Sequence, residues 1–233
     1  MPWHPSITVY LMSDVIITVR SESQQLVTPE RAVAHVTAAV DGAERGAVVE
    51  RLAALAEPLR AELAARKSAG RIEDWASQRV AVWADRPWNS EGRQLDLVHH
   101  ASVEFTATFT DVLALSDWLN GLAATEGLQV GAVQWDLTPE TRARVEREVA
   151  TQAVAVAVDR ATAYARAIGR ESVTPVQIAD LGLLGDGGGA QPAPRMFARA
   201  SAMAMDAGAP PAVDFRPDDI VVTAAVEARF TAA

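Results

Sequence analysis

At 233 residues, 49% of them apolar, the chain is long enough to bury a core and too apolar to be disordered. A formal net charge of −9, with no basic block anywhere, argues against nucleic acid as a partner, because phosphate binding needs clustered Lys and Arg. The absence of cysteine excludes disulfides, thiolate metal sites and a cysteine nucleophile.

The chain opens Met1-Pro2-Trp3-His4-Pro5, without the basic start of a signal peptide. The apolar stretch Ile7 to Met12 is too short for a signal core or a membrane span. Residues 1–14 therefore read as an N-terminal extension, with Met12 an alternative start, and the cytoplasm is the expected compartment. Val15, Ile17 and Val19 then begin a strand on one face.

Val27-Thr28-Pro29-Glu30-Arg31-Ala32 has the punctuation of a helix start. Thr can cap unpaired N–H groups, Pro suits the first helical position, and Glu favours the positive end of the helix dipole. A short helix to about Val40, broken by Asp41-Gly42, is predicted. Leu137-Thr138-Pro139-Glu140 repeats the pattern, so the chain holds either two similar βα units or two good helix starts.

A second helix is predicted over Ala47–Lys67, with Val48, Leu52, Leu55, Leu59 and Leu63 in a 3.6-residue stripe and Pro58 placed to kink it. Two strands, Ile72–Ala84 and Leu97–Phe109, flank a hairpin loop, Asp85–Arg93. In the second strand His99, Ala101, Val103, Phe105, Ala107 and Phe109 alternate with His100, Ser102, Glu104, Thr106 and Thr108. Asp111 caps a helix to about Ala124, with Leu115, Trp118, Leu119 and Leu122 on its apolar face.

Leu128–Leu137 is the next strand, followed by the longest helix, Glu140–Ile168. Ala150, Ala153, Ala157, Ala161 and Ala165 fall on or near one stripe of it, and Gly169 is a natural stop. Val173–Leu181 and Asp219–Phe230 complete the strands, giving the order β-α-α-β-β-α-β-α-β-β. The expected fold is α+β: two βα-type subdomains with mixed or antiparallel sheets packed by helices, over residues 15–233.

Between the last two strands, Gly182–Pro217 is rich in Gly and Pro, with Met196, Phe197, Met203 and Met205 scattered through it. A connection this long is functional or disordered, and its apolar residues suit packing against a neighbouring subunit.

No residue set compels a catalytic, cofactor or metal assignment. Gly185-Asp186-Gly187-Gly188-Gly189-Ala190 matches a dinucleotide fingerprint in spacing, but Pro192 and Pro194 stand where its helix should begin. His99-His100 are adjacent on a strand and so point to opposite faces, and His4 and His35 have no ligand spacing to them. Asp136, Asp218 and Asp219 would serve acid–base chemistry only by converging in one pocket, and solvated or capping roles suit them better. Trp75, Trp83, Trp88 and Trp135 suit core or interface packing. Lys67, the only lysine, sits at a polar helix end and carries no chemistry in this reading. The arginine, alanine and valine usage reads as that of a GC-rich bacterial genome.

His99-His100-Ala101-Ser102 with its alternating strand, Asp111 and a Leu/Trp helix resembles one block of the SIMPL (DUF541) family. Val133-Gln134-Trp135-Asp136-Leu137-Thr138 resembles the strand before that family's long helix. Ala153, Ala157, Asp159-Arg160-Ala161, Tyr164-Ala165 and Ala167-Ile168-Gly169 resemble its repeated alanines, and the Pro/Met/Ala-rich stretch and last strand its C-terminal end. The resemblance covers nearly the whole chain from Val15. It implies two α/β subdomains, no catalytic site and, for some bacterial members, a ring-like or channel-like homo-oligomer. Many members are exported to the envelope, and some are linked to oxidative stress. The loop Asp85–Arg93 is richer in Trp and Arg than the family pattern.

The expected function is accordingly a non-enzymatic, self-assembling protein, stress-related, with copies of itself as partner and no cofactor. The alternative is a binding module for a small molecule or cation, with segment 182–217 as a lid.

Overall fold

The computed structural model describes residues 14–184 and 215–233, and among these the chain forms seven strands and three helices. Their order is β1 (Val15–Val27), β2 (Arg31–Gly42), α1 (Arg45–Ser68), β3 (Asp74–Asp85), β4 (Val98–Phe109), α2 (Val112–Ala123), β5 (Leu128–Asp136), α3 (Pro139–Ala167), β6 (Val173–Asp180) and β7 (Ile220–Ala232). The fold is α+β with two antiparallel sheets. Met196, Phe197, Met203, Met205 and the Gly185–Ala190 run lie outside the described residues, as do residues 1–13.

One expected element has the wrong type. The segment after Thr28-Pro29-Glu30 is not a helix but the twelve-residue strand β2. Its burial alternates: Ala32, Ala34, Val36 and Ala38 are buried, while Val33, His35, Thr37 and Ala39 are only partly so. β2 is an inner strand, paired on both sides with β4 and β5, and two ladders of hydrogen bonds outweigh the helix propensity of its alanines. The observed order is thus β-β-α-β-β-α-β-α-β-β, and the two Thr-Pro-Glu segments do not open equivalent units.

They meet instead. The Glu30 carboxylate, expected at a helix dipole, accepts from the backbone N–H and the hydroxyl of Thr138 at 2.8 and 2.7 Å. The Glu30 N–H donates to the Asp136 carbonyl at 3.0 Å. Arg31 beside it bridges Glu73 at 2.9 Å and Asp136 at 3.6 Å.

The described chain divides into two compact units, one of residues 14–26, 140–184 and 221–233, the other of residues 27–139 and 215–220. The first unit holds the sheet β1-β7-β6 and α3. The alanine stripe is what lets that helix lie close on strands: Ala153, Ala157, Ala161 and Ala165 are fully buried in one cluster with Ile17, Val19, Ala228 and Phe230. Approach is close enough for the buried Ser21 hydroxyl to donate to the Ala153 carbonyl at 2.7 Å. The chain leaving β6 is tied to β7, since the Glu227 carboxylate accepts from the N–H groups of Gly182 and Leu184, and Arg229 donates to the Leu184 carbonyl at 3.1 Å.

The second unit runs β2-α1-β3-β4-α2-β5 with sheet order β3-β4-β2-β5, every pairing antiparallel. That is the split β-α-β topology, in which each helix connects strands that have another strand between them. The inward residues of β4, Ala101, Val103, Phe105, Ala107 and Phe109, pack with those of β2 and with the apolar faces of α1 and α2 in one core. Asp111 caps α2 as expected, its carboxylate accepting from Leu113 N at 2.9 Å and Ala114 N at 3.4 Å. α1 runs unbroken through Pro58.

Candidate functional site

A cleft of the second unit has a volume of about 830 Å³ and forms where regular structure ends. β2 stops at Asp41-Gly42, α1 begins, and the turn Glu126-Gly127 leads into β5. Gly127 has φ of +83°, a conformation that suits glycine, and its carbonyl accepts from Ala39 N at 2.8 Å. A Cβ there would lie 2.7 Å from Leu55 Cδ2, so helix and turn close tightly at this edge of the cleft.

One wall of the cleft is aromatic. Trp83 of β3 and His100 of β4 are paired across the two strands, and their rings stack with centroids 5.1 Å apart and planes 17° from parallel. His100 Nε2 lies 3.4 Å from Asp85 Oδ1. On the other side of His100, at the same register, comes Asp41 of β2. Small residues, Ala39 and Ser102, line the cleft beside them. Arg51 of α1 reaches in and donates to the Asp41 carbonyl at 3.1 Å, and Glu126 stands among the lining residues at the turn.

The histidine pair behaves as strand geometry requires, His100 lining the cleft and His99 pointing to the other face with its Nδ1 buried and without a hydrogen bond. The tryptophans divide. Trp75 and Trp135 pack against the core, Trp135 also edge-on to Phe215 at 6.0 Å, whereas Trp83 and Trp88 are exposed. None of the three aspartates lines the cleft. Asp136 pairs with Arg31 and accepts from Leu137 N, Asp219 accepts from the Thr28 hydroxyl at 3.0 Å, and Asp218 is exposed. Lys67 bridges Asp74 at 2.6 Å, which with the Trp75 N–H holds the Asp74 carboxyl below its ordinary value. Among the described residues, no group of three or more His, Asp or Glu is placed to hold a metal ion, and no helix is long and apolar enough to cross a membrane.

Sequence reasoning did not find Asp41, Arg51, Leu55 and Glu126 as neighbours. Asp41-Gly42 was legible as an interruption, but taken as the end of a helix it faced no sheet, and so nothing joined it to His100.

Comparison with known families agrees with this architecture. The family model described as SIMPL, protein of unknown function (DUF541), matches residues 17–230, and the chain belongs to that family. No curated protein matches the chain.

Proposed function

We propose that this SIMPL-family chain is a non-enzymatic protein that assembles with copies of itself, as a ring-like or channel-like oligomer with a role in stress. One observation supports the assembly most directly. β3 is an edge strand of twelve residues, and it and its hairpin loop carry exposed Val80, Trp83, Trp88, Leu95 and Leu97. Edge strands present unpaired N–H and C=O groups, and large apolar side chains exposed beside them are costly to leave in water. The loop presenting Trp88 is itself ordered: Asn89 Oδ1 accepts from Glu91 N and Arg93 N, and Leu95 N donates to the Pro87 carbonyl.

Sedimentation velocity on the full chain tests this. An oligomer that Val80→Lys with Trp88→Ser shifts toward monomer is the expected result. A wild-type monomer at tens of micromolar (on the order of the concentrations at which specific interfaces hold) would end the proposal.

A second reading, a small-molecule or cation binding module, is favoured by the cleft with its aromatic wall. Segment 182–217, the expected lid, lies mostly outside the described residues.

A further inference from the structure

We infer that the cleft of the second unit takes a small organic cation with a flat body, such as an arylalkylammonium, the ring lying against the Trp83–His100 stack and the ammonium at Asp41. The inference rests on the binding-module reading and adds the ligand class and the residues that would select it.

Charge decides the sign of the ligand. Among the lining residues the carboxylates of Asp41 and Glu126 stand against one guanidinium, that of Arg51, which already donates to the Asp41 carbonyl. Asp85 adds a third carboxylate behind His100. A further acceptor comes from the covalent structure of α1. Ala54 is also a lining residue, and its carbonyl would take its helical hydrogen bond from residue 58, where Pro58 has no N–H to give. Carboxylates therefore outnumber the guanidinium in the lining, which favours a cation and penalises an anion.

Shape decides the body. Side chains on neighbouring strands stand side by side about one strand spacing apart, and Trp83 and His100 already occupy two successive positions as parallel rings. The next strand, β2, puts Asp41 opposite His100, and the adjoining residue on the same face is only Ala39. A third planar group fits over Ala39 against the imidazole face turned away from Trp83, which places a one- or two-carbon ammonium arm beside Asp41. Aromatic faces also attract cations directly, tryptophan most strongly.

The test is a ligand-observed NMR titration of the full chain with phenethylammonium, and with phenylacetate as the matched anion. Expected are saturable binding at about millimolar Kd, as befits so few atoms, and roughly tenfold weaker binding of phenylacetate. The phenethylammonium protons should shift upfield under the ring currents. Trp83→Leu should weaken phenethylammonium about three- to fivefold, and Asp41→Asn with Glu126→Gln should erase the preference for the cation. Trp83 and Asp41 are exposed, so far-UV circular dichroism should stay unchanged in these variants. Equal binding of the two probes, or binding indifferent to these substitutions, overturns the inference. A thermal-shift screen against metal ions and metabolites separates the two levels. A ligand of another class without phenethylammonium binding overturns the inference and leaves the binding module standing, while no shift with anything removes both.

Discussion

Replacing Gly127 by Ala tests how tightly the cleft's turn is built. Two costs add. The first is conformational, since φ of +83° is a region where a Cβ costs about 1–2 kcal/mol, offset in part by the lower entropy of an unfolded alanine. The second is steric, because the new Cβ would sit 2.7 Å from Leu55 Cδ2 and 3.3 Å from the Ala39 carbonyl oxygen. The leucine can leave its rotamer for about 0.5–1.5 kcal/mol. The backbone oxygen has less room to give, because Ala39 also donates to the Gly127 carbonyl at 2.8 Å. Together these predict a loss of about 2–3 kcal/mol.

Gly70 supplies the control within the same unit. Its φ is +66° and a Cβ would meet nothing within 4 Å, so Gly70→Ala should cost only the conformational part, about 1 kcal/mol. Urea denaturation followed by circular dichroism, fitted for each variant, gives both numbers. Adding Leu55→Ala to Gly127→Ala should recover about 1 kcal/mol relative to the sum of the single changes. If Gly127→Ala costs no more than Gly70→Ala, the steric reasoning is wrong. If neither destabilises, so is the backbone reasoning.

Three further outcomes are expected. Asp111→Ala should cost about 1 kcal/mol by removing the α2 cap, and Asp111→Asn should retain most of it, both read from urea midpoints. Ala161→Leu should cost about 1–3 kcal/mol by forcing α3 off its sheet, seen as a lowered Tm, because Ala161 is fully buried in the alanine stripe. Acid should destabilise the chain through Asp74 and Glu227, whose carboxyls are held below their ordinary 3.8 and 4.5 chiefly by hydrogen bonds from Lys67 and Arg20. A depressed folded pKa gives stability that is complete above those ordinary values and lost as pH falls through the folded ones. Asp74→Asn with Glu227→Gln should therefore reduce the acid dependence of the urea midpoint, and an unchanged dependence would discount both pairs.

The sequence was most legible where one periodicity governed a long run. β4 alternates without interruption, and its inward residues are those buried beneath the helices. The α3 stripe was legible for the same reason, and its burial explains why alanine rather than leucine occupies it. β2 misled because two signals competed. Thr28-Pro29-Glu30 and the alanines suggested a helix, while Ala32, Ala34, Val36 and Ala38 alternated as a strand, and only its two partner strands decide between them. Strand order was illegible because β1 and β7, from opposite ends of the chain, share a sheet. No local spacing encodes that pairing.

The same distinction explains why the cleft escaped a motif search. Its residues come from β2, α1, β3, β4, the turn before β5 and β5 itself, segments mostly far apart in sequence. What they share is a position where regular hydrogen bonding ends: Asp41 closes β2, Gly127 turns the chain into β5, and Pro58 withholds an N–H from Ala54. Backbone and side-chain groups unneeded by the ladders and the helix are the ones available to a ligand. β3 then serves both readings, with Trp83 in the cleft wall and Val80 and Trp88 on the exposed edge and loop. The assembly test therefore leaves Trp83 intact and the binding test leaves Val80 and Trp88 intact. A variant that loses only one property assigns that property to its own part of β3 and the loop, and a variant that loses both makes the cleft part of the contact between copies.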